Sequence, residues 1–225
     1  MSRLARANVV TEGSTEEAFV REVLQEPLAR RSVWLTPRSV RTGRSRGIVY
    51  RGGLSSYTKA RSDIVRWLRD DPSAHVTTMF DLYRLPDDFP GFRATAATRD
   101  PHRRAAEIER RFAEDIGSDR FIPYVQLYEF EGLLFSDVRA IDAALMPYHR
   151  SMLRPLEEIR AAFGGPEEID DGEETAPSKR LLSLYPVYDK ALHGPAIAGR
   201  IGLATIRSQC PHFNAWLTRL EGLSG

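Results

Sequence analysis

The sequence has very little cysteine, very little lysine and no long hydrophobic segment. Cys210 is the single cysteine among 225 residues, which excludes an internal disulfide and a zinc site built from several cysteines. No apolar run approaches the roughly 20 residues that span a bilayer, and the first seven residues predict no signal peptide. We therefore expect a cytoplasmic protein that does not bind membranes.

The sequence also lacks the signatures of several enzyme classes. Its five histidines show no metal-ligand spacing such as His-x-x-x-His, and no Gly-x-Ser-x-Gly segment is present. No phosphate loop ending in Gly-Lys-Ser or Gly-Lys-Thr occurs either. These absences argue against a hydrolase built on a serine triad and against intrinsic ATP hydrolysis.

The charged residues are balanced in number, but the cations are mostly arginine. The formal net charge is +1, so any contact with nucleic acid must come from a local patch. Segment 41–53 is the densest such patch, with four glycines and four arginines: Arg41, Arg44, Arg46 and Arg51. Arginine pairs with phosphate in bidentate fashion and glycine allows close backbone approach, so contact with nucleic acid is one interpretation. A flexible, solvated loop is the other.

Apolar, β-branched segments alternate with amphipathic segments in the first part of the chain. The predicted strands end near residues 11, 35, 80 and 128, and helices of 12 to 17 residues separate them. This alternation predicts an α/β fold with a mainly parallel sheet flanked by helices. After residue 135 only helices are predicted, so we expect a core at 1–135 and a helical extension at 136–225 packed on it.

Local signals predict where some of these helices begin and end. Ser14 followed by Glu17 predicts a capping box, and the apolar face after it runs to a break at Pro27. Asp100 before a proline predicts the start of a later helix, and Gly117 predicts its end. Segment 167–174 has six acids in eight residues, which is more typical of a solvated loop than of a metal site.

Acidic residues follow three of the predicted strands. Glu12 ends the first, Asp81 ends the third, and Glu129 and Glu131 follow the last. The carboxyl ends of parallel strands meet at one edge of a sheet, where neighbouring strands lie about 4.8 Å apart. Carboxylates grouped in this way suit hard divalent cations, and two-metal sites need several of them. Each acid taken alone could instead be a helix N-cap or a first-turn residue.

The same residues resemble the motifs of the Toprim superfamily, in segments 10–16, 79–83 and 128–135. Toprim is the domain shared by topoisomerases, primases, overcoming-lysogenisation-defect (OLD) nucleases and recombination proteins. The sequence is still more similar to a bacterial family of unknown function within that superfamily, whose members share an ending like 174–180. The resemblance covers nearly the whole chain, and the Toprim part of it lies in 7–135.

The resemblance implies roles for these acids. Glu12 corresponds to the invariant Toprim glutamate, a metal ligand or general acid/base, and Asp81 to the first aspartate of an Asp-x-Asp element. The second aspartate is replaced by Tyr83, so Glu129, Glu131 or Glu16 would have to complete the site. The resemblance implies Mg²⁺ or Mn²⁺ as cofactor, an ABC/OLD-type ATPase as partner, and a role in defence against phage or foreign DNA.

The sequence as a whole predicts a metal-dependent nuclease or nuclease-like effector subunit that acts on DNA or RNA. Lys179 would contact the scissile phosphate, and Arg180 with the arginines of 41–53 would bind the phosphate backbone. A surface position at the start of a helix explains Lys179 equally well. The alternative function is a non-catalytic Toprim-like module that docks an ATPase or nucleic acid, and Tyr83 favours it.

Overall fold

The computed structural model describes residues 4–45, 48–51, 54–169, 172 and 175–225. Within 41–45 and 48–51 it describes the backbone but not the side chains. Several residues of the sequence predictions lie outside the described part: Arg46, Asp170, Asp171, Glu173 and Glu174.

The described elements alternate between strand and helix and then become helical. The first half comprises β1 (Ala5–Thr11), α1 (Ser14–Phe19), a π-helical turn (Val20–Leu24), α2 (Gln25–Ala29), β2 (Val33–Ser39), β3 (Arg41–Ser45), β4 (Ile48–Arg51), α3 (Tyr57–Asp70), β5 (His75–Asp81), α4 (Pro101–Ile116), β6 (Phe121–Ile122) and β7 (Val125–Gln126). The second half comprises a 3-10 helix (Phe130–Ser136), α5 (Val138–Leu145), α6 (Leu153–Ala161), α7 (Pro177–Leu184), α8 (Lys190–Ile201), α9 (Leu203–Gln209) and α10 (Pro211–Glu221).

The central sheet is parallel throughout, as the alternation of strands and helices predicts. Its order is β2-β1-β5-β6, and β7 also pairs with β5. In the register of β1 and β5, Thr11 lies beside Met79, so the two strands end at the same edge. Glu12 and Asp81 are thereby brought together at that edge.

The last predicted strand, 121–128, is interrupted at Pro123. Proline has no N–H to donate to a sheet ladder, so β6 stops before it and β7 starts two residues later. The gap is bridged by the Thr78 side chain, whose hydroxyl donates to Tyr124 O at 2.8 Å and accepts from Tyr124 N at 3.0 Å.

The first helix is capped one residue earlier than the sequence predicts. Gly13 is the N-cap, and its N–H donates to the Glu16 carboxylate at 3.0 Å, so the predicted pairing of Ser14 with Glu17 is wrong. Gly13 has an extended backbone, and α1 begins at the next residue. The hydrogen bond from Gly13 holds the Glu16 side chain near the end of β1. The predicted break at Pro27 is wrong too, because Pro27 falls in the first turn of α2, where proline is tolerated.

Two other predicted helix ends are confirmed. Asp100 accepts hydrogen bonds from the backbone N–H groups of His102 and Arg103, with proline in the first position of α4. Gly117 ends α4 in the left-handed conformation, with φ of 64°.

The arginine-rich segment 41–53 forms a hairpin in its described part, not a loop. β3 and β4 pair antiparallel, with Arg44 beside Val49 and Ser45 beside Ile48. The Ile48-Val49-Tyr50 run has the β-branched and aromatic character that favours strands. The binding role of the segment stays a prediction.

Both faces of the sheet are covered. On one face, α3 and α4 pack through a cluster that contains Ile64, Phe80 and Phe112. On the other face, the C-terminal helices pack against α1 and β1 through a cluster that contains Phe19 and Phe213. In the described part of the chain, no helix combines the length and the apolarity needed to cross a bilayer.

Segment 167–174, with its six acids, contains at least one residue that is not solvated, because Glu167 is buried. Its carboxylate accepts hydrogen bonds from His212 N at 3.0 Å and Phe213 N at 2.9 Å, in the first turn of α10. Cys210, the N-cap residue of α10, makes no side-chain cap. Glu167 therefore caps this helix from a distant part of the chain, and the prediction of a solvated loop is wrong for this residue.

His212 makes the stability of this region depend on pH. Burial opposes protonation of the imidazole, but its contact with Glu109 at 3.0 Å and the charge of Glu167 outweigh burial and raise the pKa of His212. His102 also lies nearby, with its ring centroid 6.3 Å from that of His212. A raised pKa in the folded state stabilises the fold fully below the unfolded value of about 6.5, and the stabilisation is lost as pH rises through the folded pKa.

We therefore expect His212→Gln to destabilise the protein more at pH 5.5 than at pH 9. Urea denaturation of both proteins across this range measures the difference directly, and the comparison cancels the other titrating groups. A difference that stays constant or grows with pH would show that His212 is not charged in the fold.

Candidate functional site

A cleft of about 420 Å³ opens at the carboxyl edge of the sheet. It lies where β1 and β5 end, beside the first turn of α1 and the starts of α7 and α8. Its charged lining residues are Glu12, Glu16, Glu17, Asp81, Arg84, Glu129 and Lys190. The structure thus brings together acids that lie far apart in the sequence.

The carboxylates of Glu12 and Asp81 accept hydrogen bonds from the backbone near neighbouring strand ends. Glu12 accepts the backbone N–H of Asp81 at 2.7 Å, and Asp81 accepts the backbone N–H of Phe130 at 3.0 Å. Both side chains are buried. Each carboxylate therefore uses one oxygen to fix the backbone of the next strand end and has a second oxygen left for other contacts.

Glu129 and Glu131 flank Phe130 in the sequence and make different contacts. Glu129 accepts the backbone N–H of Ser178 at 3.0 Å and so ties the start of α7 to the cleft. Glu131 is fully buried, and Tyr188 donates to its Oε1 at 3.4 Å. Its Oε2 accepts no hydrogen bond within the described residues.

Lys190 places its ammonium among three of the acids. Its Nζ lies 3.0 Å from Glu131 Oε2, 3.3 Å from Asp81 Oδ2 and 3.7 Å from Glu16 Oε1. The contact with Glu131 is a charge contact that is not aligned as a hydrogen bond. Lys190 is the group that the carboxylates surround.

Sequence reasoning missed Lys190. It begins α8, 109 residues after Asp81, and no motif marks it. The one local signal is Gly194 within α8, where a Cβ would lie 3.0 Å from a ring carbon of Phe130. Glycine lets α8 approach the 3-10 helix closely enough for Lys190 to reach the acids.

Burial raises the pKa values of three acids at the cleft. Burial, followed by the charge of Glu16, raises the pKa of Glu12 to about 7. Burial also raises the pKa values of Asp81 and Glu131, although Lys190 opposes this. For Lys190, burial disfavours the charge, but the surrounding acids outweigh burial and raise the pKa of the ammonium. The acidic cluster, which comprises Glu16, Asp81 and Glu131, therefore has fewer positive charges beside it than it has carboxyl groups.

The donor set fits a hard divalent cation in its chemistry. Carboxylate oxygens are the ligands that Mg²⁺ and Mn²⁺ prefer, and the buried Oε2 atom of Glu131 has the ammonium of Lys190, 3.0 Å away, as its partner. As the side chains stand, however, no three His, Cys, Asp or Glu residues of the described part are grouped to hold a metal ion. The ammonium of Lys190 lies at the point on which the acids converge.

Two other predicted site residues, Lys179 and Arg180, are not among the residues that line the cleft. Lys179 is exposed on α7 and is absent from the residues that line the cleft, although its neighbour Ser178 is among them. Arg180 donates to Thr175 O at 2.5 Å and lies over the ring of Phe163. The hairpin residues Arg41, Arg44 and Arg51 have described backbones only. The roles of all these residues stay predictions.

Tyr83, in place of the second aspartate, also lies at this edge. Its backbone N–H donates to Tyr128 O at 3.1 Å, which continues the pairing beyond β7. The following residue, Arg84, lines the cleft. At the position that the Toprim resemblance aligns with an acid, this chain has Tyr83, which is not among the residues that line the cleft.

Comparison with known proteins identifies the family. The model of DUF4276, described as a domain of unknown function, matches residues 11–221. The chain belongs to the DUF4276 family. The match includes Glu12, Asp81, Glu129, Glu131 and Lys190, so the whole cleft lies within the family's domain.

Solved structures similar to this DUF4276 chain include the C-terminal regions of two OLD proteins. That of Burkholderia pseudomallei has 17% identity and a TM-score of 0.48, covering 99% of this chain and 100% of that one. That of Xanthomonas campestris pv. campestris has 20% identity and a TM-score of 0.42, covering 96% of this chain and 95% of that one. No curated protein sequence matches the chain.

Proposed function

We propose that this DUF4276 protein is a nuclease-like enzyme that hydrolyses phosphodiesters of DNA or RNA with Mg²⁺ or Mn²⁺. The observation that carries the proposal is the convergence of three buried carboxylates, those of Asp81, Glu131 and Glu16, on one cation position, with Glu12 bonded to the backbone of Asp81 beside them. The Toprim-like order of Glu12, Asp81 and the Glu129/Glu131 pair supports it independently.

In this proposal the carboxylates divide into ligands and positioning groups. Asp81, Glu131 and Glu16 would hold the ion, since their oxygens already face one cation. A bound divalent ion would supply Lewis-acid activation of water and of the phosphate. Glu12 holds the backbone of Asp81, and Glu129 holds the start of α7, so these two acids keep the ligands in place.

The cations around the cleft would bind the substrate. Arg84 lines the cleft and is placed to neutralise a phosphate. We propose that Lys179, Arg180 and the hairpin arginines Arg41, Arg44, Arg46 and Arg51 contact the nucleic-acid backbone further out. On the Toprim and OLD resemblance of the motifs, we further propose an ATPase partner and a role in defence against phage or foreign DNA.

A second candidate function is a non-catalytic module that docks an ATPase or nucleic acid. Two observations favour it: Tyr83 replaces an acid of the Toprim pattern, and Lys190 already places a positive charge among three of the acids. In this case Lys190 would be a permanent internal counter-charge, and the protein would bind no divalent ion.

The decisive experiment compares cleavage by wild type, Glu12→Gln and Asp81→Asn on labelled DNA and RNA with Mn²⁺. Both amides keep an oxygen that can accept the Asp81 or Phe130 N–H, so the fold is retained while the charge is lost. We expect at least tenfold slower cleavage, by analogy with the tenfold to hundredfold losses when groups around a metal site are removed.

Glu22→Gln is the matched control. Glu22 lies on the π-helical turn that follows α1, is exposed, and does not line the cleft. Equal rates in all four proteins would remove the cleft from consideration as the active site.

A further inference from the structure

The position of Lys190 is unusual for a cation at a helix terminus. It is the first residue of α8, where the backbone N–H groups give the helix a partial positive charge that disfavours an ammonium. The side chain is 36% exposed, so it reaches the acids from the open side of the cleft. Its attraction to Glu131, Asp81 and Glu16 must therefore account for where the ammonium lies.

The ammonium and a metal ion would compete for the same oxygens. The three acids carry three negative charges at most, and Lys190 supplies one positive charge within 3.7 Å of each. An additional divalent ion at the same point would be a few ångströms from the ammonium, in a poorly solvated site where like charges repel strongly. Simultaneous occupancy is therefore disfavoured.

We propose that Lys190 is a displaceable internal cation, and that a divalent metal ion enters the cluster by exchange with its ammonium group. This proposal rests on the proposed metal dependence of the cleft. The lysine stem is flexible, and the exposed side of the cleft gives the displaced ammonium access to water. Without metal, Lys190 is the counter-charge that keeps the buried acids compatible with the fold.

Substitution of Lys190 by an uncharged residue of similar shape tests the exchange. We expect Lys190→Met in the full chain to bind Mn²⁺ at least tenfold more tightly than wild type by calorimetry. We also expect it to melt at a lower temperature without metal and to recover on addition of Mn²⁺. Lys190→Arg keeps the charge and is expected not to gain affinity. Lys59→Met, on the exposed side of α3, is the matched control and is expected to behave as wild type.

A second measurement uses wild type alone and does not depend on how the variants fold. An amine-reactive acetylating reagent, followed by mass spectrometry, reports how accessible Lys190 is relative to Lys59. We expect Mn²⁺ to accelerate the acetylation of Lys190 severalfold and to leave that of Lys59 unchanged.

The outcomes separate this proposal from the proposed function. Equal or weaker Mn²⁺ binding by Lys190→Met, or protection of Lys190 from acetylation by Mn²⁺, would overturn the exchange, and cleavage by wild type could still stand. Tighter binding by Lys190→Met, without cleavage by any protein, would uphold the exchange and overturn the nuclease function.

Discussion

Trp216→Ala is expected to lower the free energy of unfolding by about 3–5 kcal/mol, the range for loss of a large buried aromatic side chain. Trp216 is 3% exposed on α10, and its ring stacks on Tyr124 with centroids 4.3 Å apart. Its Nε1 donates to the hydroxyl of Thr77, in the middle of β5, at 2.8 Å. Truncation would remove this packing and leave the Thr77 hydroxyl with one partner fewer in a buried place.

Urea denaturation followed by circular dichroism measures this loss. Trp34→Ala is the control, because Trp34 is 51% exposed on β2 and its loss is expected to change stability by no more than about 0.5 kcal/mol. Trp216→Phe keeps an aromatic ring but loses the hydrogen bond, so its effect should lie between the two. If Trp216→Ala cost less than about 1 kcal/mol, α10 would not be integral to the core.

The contact between Trp216 and Thr77 also bears on the organisation of the chain. We propose that 1–135 forms the α/β core and that 136–225 packs on it as a helical extension. The extension contributes α8 and α10 to one of the two layers that cover the sheet, a layer that also contains α1 and α2. Its loss would expose the apolar residues of that layer and of the sheet that α8 and α10 cover, so the two parts are expected to fold together.

The sheet and its acidic edge were predictable because they depend on local patterns. Alternation of buried strands with helices specifies parallel pairing, and parallel pairing specifies that Glu12 and Asp81 meet. The predicted strand at 121–128 failed in detail because Pro123 interrupts the ladder. The arginine-rich hairpin was interpreted as a loop because its four glycines outweighed the short β-branched run Ile48-Val49 within it.

Lys190 could not be predicted for a different reason. Its role depends on the packing of α8 against the 3-10 helix, a tertiary contact with no periodic signal in the sequence. Glu16 differs from Lys190, because the sequence named it among three acids that could complete the site but did not decide between them. A shift of the helix cap by one residue, from Ser14 to Gly13, decides that Glu16 and not Glu17 faces Lys190.

Glu167→Ala is expected to cost about 2–4 kcal/mol, because it leaves unpaired the buried N–H of Phe213, at about 1–3 kcal/mol, and the partly buried N–H of His212, which costs less. Burial raises the pKa of Glu167, but the two hydrogen bonds from the first turn of α10 oppose this. The carboxylate therefore replaces the N-cap that Cys210 does not provide. Unlike Trp216, it stabilises α10 through its backbone and not through its packed face.

The adjacent Glu168 supplies the matched control, since its side chain is 46% exposed and lies 4.0 Å from His102 at the surface. Glu168→Ala is expected to change stability by no more than about 0.5 kcal/mol in the same denaturation experiment. Glu167→Gln keeps only one acceptor oxygen for two N–H groups, so its cost should fall between those of the two alanine variants. Equal stability of Glu167→Ala and Glu168→Ala would mean that water or another group caps α10, and that the buried carboxylate stabilises nothing.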